Sequence, residues 1–184
     1  MTRLFVAIDV PMAARQALSD AVTGLRVRHD GLRWSRPAGW HVTLAFLGEV
    51  GVGGRIRAIS ALRRATVGAA PCAVTLSGRL GRFGDRVLWA SVDADDDRLP
   101  TLVDGIRREL AAAGLPFDDR PFRSHLTLAR GRRGQAMPRT RLLTAPGLPC
   151  RWSVATVALM ASPPNGHGNG YRTVATWPLG EGRA

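Results

Sequence analysis

The order of elements written in this chain predicts an α+β fold built mostly on antiparallel sheet. Three observations lead there. Apolar runs of strand character alternate with stretches of helical period: strand, helix, strand, helix, strand, strand, helix, strand, then late strands. Sequence neighbours look hairpin-like, and the glycine-bearing turns lack the spacing of a phosphate loop. The five-residue pattern His-x-Thr-Leu-Ala occurs twice, starting at His41 and at His125.

Taken in order, residues 4–9 form a short apolar run of β-formers that closes at Val10-Pro11. Pro11 suits the start of a helix, because a first turn leaves its N–H groups unpaired anyway. Over residues 12–27 apolar side chains recur at Ala14, Leu18, Ala21, Val22 and Leu25, which is helical spacing. A turn region, 31–39, carries Trp34 and Pro37. His41-Val42-Thr43-Leu44-Ala45-Phe46-Leu47 then alternates polar and apolar at its start and stops at Gly48, as a strand half exposed in a cleft would.

Helical period returns over 55–67 and ends at Gly68. Residues 73–80 and 87–92 read as two strands around a turn at 81–85. Residues 99–113 place Leu102, Ile106, Leu110 and Ala113 on one stripe, with Gly114 as the stop. After Pro116 and Pro121 the second pattern, His125-Leu126-Thr127-Leu128-Ala129-Arg130, repeats the earlier strand. The Gly/Pro/Arg-rich stretch 131–149 reads as a mobile connection, and strands near 152–160 and 171–177 finish the chain.

At 184 residues with 45% hydrophobic content, one domain can close a real core. The longest apolar stretches fall short of the roughly 18 residues a membrane span needs. Asp9 interrupts what would be the apolar part of a signal peptide. The expectation is a cytoplasmic monomer with no membrane partner. Cys72 and Cys150 are far apart with no second cysteine near either, so paired zinc or redox spacing is absent, and both read as small buried hydrophobes.

All 26 basic residues are arginine, and the formal net charge is +12. Without lysine there is no Walker-loop lysine, no Schiff-base lysine and no lysine nucleophile of a nucleotidyl-transferring ligase. A GC-rich coding bias also converts lysine to arginine, yet it explains the net charge less easily. The excess favours a polyanionic partner, since guanidinium groups bind phosphate bidentately.

The repeat carries the chemistry. On a strand His41 and Thr43 leave one face while Val42 and Leu44 leave the other, and His125 and Thr127 behave alike. One such pattern would read as an ordinary strand-end histidine; two copies on matching elements point to imidazoles facing each other across a groove. One neutral and one protonated imidazole suit phosphodiester cleavage without metal, each proton transfer being worth about 10²–10⁴ in rate. The threonine hydroxyls are placed to hold nonbridging oxygens. No carboxylate cluster accompanies the histidines, which argues against a two-metal site. His29 and His167 lack this setting and read as solvated.

Here the chain resembles the two-histidine phosphoesterases, and among them the RNA 2′,3′-cyclic phosphodiesterases once described as RNA 2′,5′-ligases. Besides the two motifs, the likeness rests on the opening Arg3-Leu4-Phe5-Val6-Ala7-Ile8 and on Phe46-Leu47-Gly48-Glu49-Val50. It continues through Leu88-Trp89, Phe122-Arg123, Leu128-Ala129-Arg130, Tyr171 and Trp177-Pro178-Leu179. The resemblance implies a bilobal α+β fold, two pseudo-symmetric lobes of one domain around a central cleft. It also implies cleavage of the 3′ bond of a 2′,3′-cyclic phosphate on RNA or a cyclic nucleotide, leaving a 2′-phosphate, with no cofactor and no metal. Carried over, His125 is the base for water, His41 the acid toward the 3′ oxygen, and Thr43 and Thr127 bind phosphate. The near symmetry of the repeat leaves the reverse assignment of roles open.

The same likeness puts Phe46 and Arg130 against the nucleotide, although strict alternation would turn an offset of five residues to the opposite face unless a bulge intervenes near Gly48 or Gly131. Departures from the family pattern are Ser124 before the second histidine, Trp40 before the first, and Ala161-Ser162 in the late strand. The alternative reading is a noncatalytic RNA- or nucleotide-binding module using the same cleft. A further one is cleavage, or the reverse ligation, of 2′,5′-linked RNA.

Overall fold

The computed structural model describes residues 1–132, 137, 150–163 and 170–180. The stretch read as a mobile connection, 131–149, and His167 lie mostly or wholly outside them. Among the described residues nine strands form one sheet, and every pairing is antiparallel. They are β1 (Thr2–Asp9), β2 (Arg33–Trp34), β3 (His41–Val50), β4 (Cys72–Phe83), β5 (Val87–Ala94), β6 (His125–Arg130), β7 (Cys150–Val154), β8 (Thr156–Ala161) and β9 (Arg172–Pro178). Three helices, α1 (Met12–Arg28), α2 (Val52–Thr66) and α3 (Arg98–Ala112), fall within three residues of the stretches their apolar spacing predicts.

The sheet order is β7-β4-β5-β6-β3-β1-β8-β9, with β2 paired to β6 off this path. Its middle is the contact of β3 with β6, where Val42 stands opposite Leu126. On either side the order has the same sense: β6, β5 and β4 outward in one direction, β3, β1 and β8 in the other. The units β1-α1-β3 and β5-α3-β6 share one connectivity, each helix joining two antiparallel neighbours.

One face of the sheet is the core face. Val6, Ile8, Val42, Leu44, Leu88, Val92, Leu126 and Leu128 are at most 1% exposed. They pack against Ala14, Leu18 and Val22 of α1, Ala58 and Leu62 of α2, and Leu99, Val103 and Ile106 of α3. On the opposite face the side chains of the middle strands, His41, Thr43, His125 and Thr127 among them, are half-buried. Two sequence departures, Trp40 and Ala161, are core residues, 2% and 4% exposed.

Two readings are corrected. The strand expected near 152–160 is two strands broken at Ala155; β7 pairs with β4 and β8 pairs with β1 and β9, at opposite ends of the sheet order. A run of strand-forming residues on both sides of Ala155 gave no sign of the break. The turn placed at 81–85 is shorter, since β4 runs through Gly81 to Phe83 before the chain reverses.

Candidate active site

Because Val42 and Leu126 are opposite each other on the core face, the residues flanking them stand together on the other face. His41 lies toward Thr127 and Thr43 toward His125. The four side chains occupy the corners of one patch, with the histidines on a diagonal, where backbone positions are roughly 7–8 Å apart. All four are half-buried.

Each imidazole is anchored in the same way. His41 Nδ1 lies 2.9 Å from the carbonyl oxygen of Gly39, and His125 Nδ1 lies 2.6 Å from that of Arg123. In both cases the acceptor is two residues back along the chain. A carbonyl can only accept, so each Nδ1 carries a hydrogen and each Nε2 is left for the cleft.

Aromatic rings then fix the imidazole planes. Phe5 and Tyr171 pack on His41 with ring centroids at 4.8 and 4.9 Å, Tyr171 edge-on. Phe83 and Trp89 hold His125 at 4.8 and 6.1 Å. Trp89 lies flat across Gly81, its partner in the β4–β5 register, where any Cβ would sit 2.1 Å from the indole. The guanidinium of Arg123 is 5.9 Å from the ring centroids of both Phe83 and Trp89.

Phe46 and Arg130 do share the face of the histidines. In both β3 and β6 the burial pattern runs half-buried, buried, half-buried, buried, buried, exposed. The doubled buried positions, Leu44-Ala45 and Leu128-Ala129, coincide with register shifts in the β1–β3 and β5–β6 pairings. One extra residue in each strand inverts the alternation beyond it. The bulges lie before the glycines where the sequence suggested them, and both halves have one at the same offset from histidine. Since β3 and β6 are antiparallel, Phe46 and Arg123 lie toward one end of the cleft and Arg130 toward the other.

Burial pushes both imidazoles below their ordinary value of 6.5. For His41 the Gly39 carbonyl and the Asp9 carboxylate pull upward against burial, while His125 and Arg130 push further down. For His125 the Arg123 carbonyl pulls upward, and the guanidiniums of Arg123 and Arg130 push down. Asp9 is the register partner of His41 on β1; Ser91 is that of His125 on β5. Behind His41, Arg15 ties three pieces together, donating to the Val10 carbonyl at 2.6 Å, to the Pro37 carbonyl at 2.8 Å, and to the Asp9 carboxylate. Among the described residues no group of three or more His, Cys, Asp and Glu side chains is placed to hold a metal ion.

A family profile described as LigT like phosphoesterase matches residues 8–89, which include the first His-x-Thr strand. An RNA 2′,3′-cyclic phosphodiesterase of Thermotoga maritima is 33% identical over 132 residues, covering 70% of this chain and 69% of the relative. The chain belongs to the LigT-like phosphoesterases. A second relative, the RNA 2′,3′-cyclic phosphodiesterase of Geobacillus stearothermophilus, is 30% identical over 95% of this chain, which spans only 56% of that relative's length. The crystal structure of E. coli LigT complexed with 3′-AMP superposes with a TM-score of 0.75 at 26% identity, covering 98% of this chain and 99% of that one. The α+β class expected from the sequence is thus that of the LigT-like fold.

Sequence reasoning gave no site role to Phe5, Phe83, Trp89, Arg123 or Tyr171. Phe5, Trp89, Arg123 and Tyr171 stood among the residues that carry the family likeness and Phe83 did not, but only the fold shows that they pack around the two imidazoles.

Proposed function

We propose that the chain hydrolyses 2′,3′-cyclic phosphate ends of RNA to 2′-phosphates, with His125 as general base and His41 as general acid. The observation that carries this reading is the pair of imidazoles on one diagonal of the β3–β6 contact, each held through Nδ1 by a carbonyl two residues back. The names of the relatives and the nucleotide bound by E. coli LigT support the substrate class.

Neutral His125 takes a proton at Nε2 from the attacking water as the new P–O bond forms. The P–O3′ bond breaks, and the 3′ oxygen receives the proton from Nε2 of protonated His41. Thr43 and Thr127 donate their hydroxyls to the nonbridging oxygens, where charge develops. The local charges favour this division of labour: Asp9 beside His41 stabilises an imidazolium, and Arg123 beside His125 stabilises the neutral ring. Phe46 stacks on the base, and Arg130 offers a guanidinium to phosphate oxygens.

The reading is of a cytoplasmic monomer that uses no cofactor. Cys72 and Cys150 are free thiols, the state a reducing compartment maintains. The test is hydrolysis of an RNA oligonucleotide ending in 2′,3′-cyclic phosphate, in chelator, with the product resolved as 2′- or 3′-phosphate. His41→Ala and His125→Ala are each expected to lower kcat by about 10²–10⁴ with thermal unfolding retained. Activity that survives both substitutions refutes the assignment; wild-type binding without turnover identifies a binding module instead.

A further inference from the structure

A cavity of about 650 Å³ opens beside His125, bounded by Trp89 and Arg123 on the side of the imidazole. Its volume is in the range of small-molecule sites. The wall beyond is polar: Ser91 donates to Asp93 at 2.6 Å, and Arg79 donates to both oxygens of the same carboxylate at 2.8 Å. Arg79 offsets the charge of Asp93, so an anion is not repelled. Arg123 has no carboxylate partner among the described residues and rests against two aromatic rings. Phe122 completes the apolar lining.

The location makes this cavity a continuation of the cleft. Arg123 stands two residues before His125, the first residue of β6, at most about 7 Å along the chain, on the side away from Arg130 and toward Phe46. A phosphate reacting between the imidazoles and a terminal base on Phe46 would bring the next backbone phosphate of an RNA strand to the Arg123 guanidinium.

We propose that the cavity receives the nucleoside preceding the cyclic-phosphate end, with the phosphodiester that joins the two nucleotides held by Arg123. This inference rests on the hydrolysis proposed above and narrows its substrate to RNA chain ends over free cyclic nucleotides. A guanidinium lying over two rings is a platform for phosphate and base together. The Ser91–Asp93–Arg79 network offers fixed polar atoms to the edge of the inserted base.

The test compares two substrates with the same terminal nucleotide, a 2′,3′-cyclic mononucleotide and a dinucleotide ending in 2′,3′-cyclic phosphate. Wild-type kcat/KM is expected to be about tenfold or more higher on the dinucleotide. Pro100→Trp, which fills the cavity from the exposed first turn of α3, is expected to abolish that advantage while mononucleotide hydrolysis stays at the wild-type rate. Equal kcat/KM on the two substrates, or an advantage that persists in Pro100→Trp, overturns the proposal.

Binding of the products, a nucleoside 2′-phosphate and a dinucleotide 2′-phosphate, is measured alongside by tryptophan fluorescence. Tighter dinucleotide binding that Pro100→Trp removes supports the subsite even if wild-type protein hydrolyses neither substrate, in which case the hydrolysis reading alone fails. Equal product affinities overturn the subsite.

Discussion

Replacing Gly81 by alanine tests the support of His125 without touching a reacting group. A Cβ built at Gly81 lies 2.1 Å from Trp89 Cζ2 and 2.2 Å from Cη2. Carbon atoms pack best at about 3.5–4.0 Å, so the indole must move by more than about 1 Å. The backbone of Gly81 is outside the left-handed region, so alanine adds a collision and little else. Overpacking of this kind costs about 1–3 kcal/mol, or roughly 2–12 °C in Tm for a chain of this size. Trp89 and Phe83 hold the His125 ring, so kcat should fall with stability. The assay is a double-mutant cycle by thermal or urea unfolding, with Gly81→Ala made in wild-type protein and in Trp89→Leu. A coupling of at least about 1 kcal/mol is expected, because the smaller side chain leaves room for the methyl group. Equal costs in the two backgrounds would refute the reasoning, since the collision would then not be with Trp89.

Four further outcomes rest on the geometry. Both imidazoles titrate lower in the folded chain than in the unfolded one, so below about pH 6.5 the unfolded chain binds more protons. Stability is then full above pH 6.5 and declines as pH falls toward the folded values. Tm measured from pH 7.5 to 5 should decline less steeply in a His41→Asn/His125→Asn double variant. For turnover, the same shift places the acid limb of a bell-shaped profile below 6.5, as kcat/KM against pH will report. Arg15→Ala strands two carbonyls and should cost about 1–3 kcal/mol. It should lower kcat more than it changes KM, because the Pro37 turn leads to the Gly39 carbonyl that anchors His41. Phe46→Ala, at an exposed position, should raise KM several-fold while unfolding stays within about 0.5 kcal/mol of wild type.

The strand pairs and helices were legible because periodicity reports which side of an element is buried. Leu18, Val22, Leu62, Ile106 and Leu110 each fall on the stripe their spacing predicts. The histidine–threonine patch was legible for a related reason: four polar side chains at matching offsets in two apolar strands need a common exposed face. The bulges were legible only as an option near Gly48 and Gly131; their place was not, since an extra residue at Leu44 or Leu128 leaves no mark in a run that is apolar anyway. For that reason strict alternation sent Phe46 and Arg130 to the wrong face. The aromatic holders come from strands and loops distant in sequence, and only long-range register brings them to the imidazoles. The break at Ala155 was equally silent, because both sides of it are strand-forming.

That break has a consequence for the molecule as a whole. The strands that precede and follow one residue complete opposite flanks, β7 beside β4 and β8 beside β1. The carboxyl-terminal portion thus laces together what the gene lays out as consecutive halves. A fragment ending after α2 would leave the outer margin of β1 with bare amide and carbonyl groups, an invitation to intermolecular pairing. Its expected fate is aggregation, and the duplicated pattern does not make either copy an autonomous folding unit.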